Sequence, residues 1–222
     1  SFVGWTTDNV SEPVKNIRII PTDYGHKVFT AHWKSNVYTV TYYANGGNCS
    51  TSSAEYAYGN SYTLPVPTRD YYNFNGWYLE GKKVNDGEWN IAQDCTLVAE
   101  WKPIMYGITY SLNGGENNAS NISSYTVEDE FTLQDPERNG YIFDGWTTDG
   151  VAKPVKNLEI TLGSHGDKMF EAHWTAASYN VTFDANGGDC SVAQETFTFD
   201  REYTLPVSAR VGYIFVGWYY ET

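Results

Sequence analysis

Apolar and polar residues alternate along much of the chain, and the alternation returns in near-copies. In "YTVTYYANGG" (residues 38–47) Tyr38, Val40 and Tyr42 fall on one face, and Thr39, Thr41 and Tyr43 on the other. That period of two predicts a half-buried strand. The phrase recurs as "YGITYSLNGG" from Tyr106 and "YNVTFDANGG" from Tyr179. Asn-Gly after such a strand predicts a hairpin, because both central residues of a type I′ turn need positive φ. The pairs are Asn45–Gly46, Asn113–Gly114 and Asn186–Gly187. A second strand is expected to end in "YTLP" (62–65, 203–206) or "FTLQ" (131–134), and Y-x-F-x-G-W follows it. The last strand alternates Leu97, Ala99, Trp101 or Phe170, Ala172, Trp174. No segment carries a convincing 3.6-residue apolar period, so any helix is short and falls within 85–94 or 160–167.

These phrases define units. Phe-x-Gly-Trp occurs from Phe2, Phe74, Phe143 and Phe215, and apolar-x-Ala-x-Trp closes at Trp33, Trp101 and Trp174. Complete repeats are expected at 38–101 and 106–174. Residues 1–33 match the C-terminal half of an incomplete repeat, and 179–222 the N-terminal part of a further one. Shifted by 141, residues 1–81 lie on 142–222 without a gap, with 39 of 81 positions identical. Two types therefore alternate: a cysteine-containing type B (38–101, 179–222) and a type A (106–174). Neither end falls at a unit boundary, so the chain reads as a stretch of a longer array. Only four residues separate units (34–37, 102–105, 175–178), so neighbours are expected to touch, in an elongated row.

Composition sharpens this picture. The chain is 41% hydrophobic and 17% aromatic, too rich in core-formers for disorder. A repeat of this size buries only about 60% of its unfolded surface, so large rings must supply the core. Trp5, Trp33, Trp77, Trp101, Trp146, Trp174 and Trp218 are the expected core anchors. The net charge of −13 disfavours nucleic acid and anionic membrane surfaces as partners. No apolar run is long enough to cross a bilayer, so membrane insertion is not expected.

Candidate chemistry is sparse. His32 and His173 in "AHW" lack a second ligand at metal spacing, and the matching residue of the middle unit is Glu100. Asp8 and Asp149 in "GWTTD" read as loop or strand-end residues. Catalytic motifs are missing, so no enzyme activity, catalytic residue, metal or cofactor is expected. Sequons at Asn9, Asn48, Asn118, Asn121 and Asn180 barely exceed chance. Cys49 and Cys95 share one unit and form a disulfide candidate closing a loop of about 46 residues, worth about 2–4 kcal/mol in an oxidising compartment. Two buried free thiols are the alternative. The doublets Tyr42–Tyr43, Tyr71–Tyr72 and Tyr219–Tyr220 put one ring of each outward in a strand. An outward ring serves a neighbouring unit or a carbohydrate ligand.

Taken in order, Y-x-V-T-F-D-A-N-G-G, Y-T-L-P, G-Y-x-F-x-G-W and A-H-W resemble the Listeria–Bacteroides repeat, the B-repeat module of internalin B. The resemblance covers essentially the whole chain. It implies a mainly β or small α+β fold of tandem β-grasp-like (ubiquitin- or SUMO-like) modules. It also implies secreted or wall-attached bacterial surface proteins with a spacer, adhesive or assembly role, and no catalysis. Expected partners are neighbouring repeats or other proteins. Cell-surface glycans bound through outward Tyr or Trp, and self-assembly into a filament, are the alternatives. Which residues bind a ligand is left open by the sequence.

Overall fold

The computed structural model describes residues 1–220, and every regular element among them is a β-strand. Residues 221 and 222, the end of the fourth expected unit, lie outside the described residues. The chain divides into two compact units, 1–104 and 105–222.

The first unit opens with β1 (Phe2–Thr7), β2 (Val10–Val14) and β3 (Thr30–Trp33), an antiparallel sheet in the order β2-β1-β3. It continues with β4 (Val37–Tyr43), β5 (Ser53–Ala57), β6 (Ser61–Tyr62) and β7 (Tyr72–Leu79). Then come β8 (Lys82–Val84), β9 (Gly87–Glu88) and β10 (Cys95–Pro103). Five of these form a sheet in the order β5-β4-β10-β7-β8, while β6 and β9 pair separately. The central pair is parallel, with Val40 beside Cys95 and Leu97 beside Tyr42. Parallel neighbours need a long crossover, and the rest of the module supplies it.

The second unit repeats the plan. It contains β11 (Tyr106–Ser111), β12 (Ser124–Tyr125), β13 (Phe131–Thr132), β14 (Tyr141–Thr148), β15 (Val151–Val155), β16 (Glu159–Ile160) and β17 (Lys168–Ala176). The sheet order is β12-β11-β17-β14-β15, again with a parallel β11–β17 pair at its centre. After it, β18 (Ser178–Thr182) pairs with β20 (Gln194–Thr198), and β19 (Asp189–Cys190) with β21 (Ser208–Ala209).

Alternation places the cores. Val40, Tyr42, Trp77, Trp89, Leu97 and Ala99 form one buried cluster; Ile108, Tyr125, Leu133, Phe143, Trp146, Ile160, Phe170 and Ala172 form the other. Where a short helix was expected, the backbone pairs elsewhere. Trp89 N–H donates to Asn60 O, Gly59 N–H to Trp89 O, and Gly163 N–H to Val127 O. Long-range partners have taken the groups that a helix would use internally.

Two expectations need correction. The Asn-Gly pairs do adopt positive φ: 48° and 84° at Asn45–Gly46, 49° and 88° at Asn113–Gly114, 46° and 78° at Asn186–Gly187. The strands they join, β4 with β5, β11 with β12 and β18 with β20, do pair antiparallel, but through loops much longer than the two residues of a tight hairpin. Asn48 crosses to pair with Thr68, and the chain rejoins β4 only where Tyr42 N–H donates to Ser52 O. The tryptophans also divide. Trp77 and Trp146 are buried, Trp101, Trp174 and Trp218 half-buried, but Trp33 is 73% and Trp5 37% exposed. The reason is local: residues 1–33 hold three strands, with neither a first strand like the one that packs on Trp77 and Trp146 nor an Asn-Gly-Gly turn like the one that holds Trp101 and Trp174.

Candidate functional site

The Asn-Gly-Gly turn of each complete module is tied to the closing strand by side-chain bonds. Trp174 Nε1 donates to Leu112 O (2.9 Å) and Asn113 Nδ2 to Ala172 O (2.9 Å). In 38–101, Trp101 Nε1 donates to Ala44 O (2.9 Å) and Asn45 Nδ2 to Ala99 O (3.1 Å). The second glycine is there for close approach: a Cβ on Gly115 would stand 2.5 Å from the Trp174 ring and 2.9 Å from Glu137 O. Asparagine thus tolerates the left-handed backbone while its amide ties the turn to the closing strand.

An arginine caps the same turn three times. The guanidinium carbons of Arg69, Arg138 and Arg210 lie 3.8, 3.6 and 4.4 Å from the ring centroids of Tyr72, Tyr141 and Tyr213. Each guanidinium also faces the turn glycine, Gly46, Gly114 or Gly187. Stacking over a ring face holds the cation by the ring quadrupole. The signal was present in the sequence as Arg-x-x-Tyr at one offset in each repeat.

Between 106–174 and the strands that follow, the chain is pinned at several points. Ala177 N–H donates to Gly140 O (2.9 Å), and Phe199 N–H to Ala177 O (2.8 Å). The rings of Phe199 and Tyr141 meet edge to face at 5.5 Å, and Tyr141 Oη donates to Asp200 Oδ2 (3.0 Å). That bond, ahead of desolvation, raises the Tyr141 pKa. The first unit carries matching linker bonds, Ile104 N–H to Tyr71 O and Tyr58 N–H to Asn36 O, both 2.9 Å.

The remaining candidates are dispersed. His32 Nε2 bonds Thr6 Oγ1 (2.8 Å) and His173 Nε2 bonds Thr147 Oγ1 (2.7 Å), each pair bridging adjacent strands. Asp8 and Asp149 sit in the turns after β1 and β14. Among the described residues, no group of three or more His, Cys, Asp or Glu is placed to hold a metal ion. Cys49, Cys95 and Cys190 are free thiols. Cys49 and Cys95 both pack against the core cluster containing Tyr42, and Cys190 Sγ donates to Val192 O (3.0 Å). Burial first, then the Asp94 carboxylate, raises the Cys95 pKa.

Trp89 is the anchor that sequence reasoning missed. It is fully buried, 5.1 Å from Tyr56 and 5.0 Å from Tyr62. No repeated phrase contains it, so nothing marked it. Its Nε1 and that of Trp146 lack hydrogen-bond partners. Trp77 and Trp218 instead donate to Pro65 O and Pro206 O, both 2.7 Å, so the proline carbonyl of "YTLP" serves type B tryptophans.

Comparison with known proteins places this arrangement. The Listeria–Bacteroides repeat domain matches three times, at 38–100, 106–173 and 179–222. A "Putative membrane protein" of Evansella cellulosilytica is 29% identical over 199 residues, covering 86% of this chain and 29% of that protein. A "Putative Gly-rich membrane protein" of the same organism is 29% identical over 248 residues, covering 100% of this chain and 27% of its own length. The chain therefore spans less than a third of the relatives it matches. No solved structure matches it significantly.

Proposed function

The chain belongs to the Listeria–Bacteroides repeat domain family, and we propose that it is an extracellular repeat segment of a bacterial surface protein, acting as a semi-rigid spacer through contacts between modules. The relatives' names, both of membrane proteins, support a place at the cell envelope. A parallel pair of first and last strands at the sheet centre supports a β-grasp-like module that lacks the grasp helix. The chain acts by contact, not by turnover.

One observation carries this reading: the pinned connection at Gly140, Tyr141, Ala177, Phe199 and Asp200. Two backbone bonds, an aromatic contact and a side-chain bond restrict the hinge that a four-residue linker would otherwise allow. In ¹⁵N relaxation of the full chain, residues 106–174 and 179–220 are expected to tumble with one correlation time. Phe199→Ala combined with Tyr141→Ala separates them. Independent tumbling of the unaltered chain contradicts a semi-rigid spacer. A sedimentation coefficient that climbs with concentration favours a filament subunit instead.

A further inference from the structure

Alternation along β4, β7 and β10 turns Val40, Tyr42, Trp77, Leu97 and Ala99 into the core and leaves the other face of the sheet open. Register draws one row across that face. Tyr43 on β4 lies beside Val98 on β10, Val98 beside Tyr78 on β7, and Tyr78 beside Lys83 on β8. Tyr43 is 57% exposed, and Val98 and Tyr78 are half-buried. Two strand spacings separate the tyrosines, about 10 Å, with the valine between them. Polar groups flank the row. Asn75 Nδ2 donates to the Tyr78 hydroxyl (3.0 Å) and to Glu100 Oε2 (3.4 Å), and Lys83 Nζ donates to Asn75 O.

The fold does not require these rings. Residues 106–174 build the same sheet in the same register, and there the row reads Ser111, Glu171, Thr147. In 179–222 the residue matching Tyr43 is Asp184. Aromatic surface held in water where the fold accepts serine and threonine marks a contact surface.

We propose that the Tyr43–Val98–Tyr78 row is a binding face for a neutral oligosaccharide. Sugar rings stack on the two tyrosines, and their hydroxyls bond the Glu100 carboxylate, the Asn75 amide and the phenols. Charge selects this ligand class. Lys83 and Glu100 offset each other on the face, while the −13 of the whole chain repels a polyanion. A neutral polyhydroxylated chain meets no such repulsion, and its hydroxyls replace the water that a purely apolar partner would strip from the phenols and the Glu100 carboxylate. A flat row with two ring faces about 10 Å apart suits a linear ligand lying across the strands. This site does not depend on the spacer reading, and the two can fail separately.

The test titrates the full chain with cellohexaose, chitohexaose and mannohexaose, followed by calorimetry and ¹H–¹⁵N shifts. Millimolar or tighter binding to at least one is expected, with shifts centred on Tyr43, Tyr78 and Val98. The double variant Tyr43→Ser, Tyr78→Thr carries the residues that 106–174 uses at these positions. It is expected to keep the thermal midpoint and to weaken binding about tenfold or more. Tyr43→Phe retains the ring and binds within about threefold of the unaltered chain. Tyr24→Ser, at an exposed tyrosine in the loop between β2 and β3, leaves binding unchanged. No binding to any of the three, or binding that survives the double variant, overturns the proposal. So does preference for a polylysine peptide over all three glycans.

Discussion

The ring of Phe199 fills the space that a side chain on Gly140 would need, its carbons 2.5 Å from where a Cβ would stand. Gly140 also has φ 75°, a left-handed backbone. Gly140→Ala therefore combines a disfavoured conformation with the expulsion of a packed ring. A loss of about 1–3 kcal/mol is expected in urea unfolding. The peptide linking 174 to 179 should also become a protease target, read by limited digestion. Unaltered stability and protection would show that the contact is incidental.

Indole hydrogen bonds separate two kinds of tryptophan. Trp174→Phe keeps most of the ring but removes the indole bond to Leu112 O, which is left with the Gly115 N–H alone, so about 0.5–1.5 kcal/mol should be lost. Trp33→Phe, at a 73% exposed position, should change stability by less than about 0.5 kcal/mol. Chemical denaturation of the two variants side by side gives the comparison. Equal effects would contradict the assignment of the indole to the turn.

Alkaline pH should unfold the chain through its buried phenols. Burial raises Tyr110 from the ordinary 10.0 to about 12. Tyr42 moves the same way, through burial first and then the Tyr56 hydroxyl. The folded state thus holds these protons more tightly than the unfolded chain does. Stability is fully present below pH 10 and falls as pH rises towards 12. Tyr110→Phe should reduce that slope, measured as urea midpoint against pH. A slope indifferent to the substitution would place the titrating group elsewhere.

The thiols of Cys49 and Cys95 are free, yet both border the cluster around Tyr42. In material incubated with oxidised glutathione, thiol–disulfide exchange is expected to join them, with two glutathione thiols released. Alkylation under denaturing, non-reducing conditions should then label Cys190 alone, and the thermal midpoint should rise in line with about 2–4 kcal/mol. Labelling of all three cysteines would rule out the bond.

Much of the strand content was legible because half-buried strands write themselves as alternation. Tyr42 points inward and Tyr43 outward, as a period of two requires. The positive φ of Asn45 and Gly46 was legible because few residues tolerate that backbone. The destination of the turn was not, since pairing of Asn48 with Thr68 is a long-range event that local spacing does not encode. The same holds for the side-by-side placement of β4 and β10. Trp89 stood outside every repeated phrase, and the contact of Phe199 with Gly140 joins residues 59 apart. Arg138 over Tyr141 could have been found from its constant offset, because an arginine three residues before a tyrosine recurs in each repeat.

In each complete module, the segment made first lies against the segment made last. Val40 waits for Cys95, about 55 residues downstream, before its side of the sheet is occupied. A polypeptide emerging amino end first, as every chain leaves the ribosome, therefore cannot finish a module early. Closure comes in discrete steps, one per module, as each terminal strand clears the exit. Every such step commits one module to its fold while the next still lacks its closing strand.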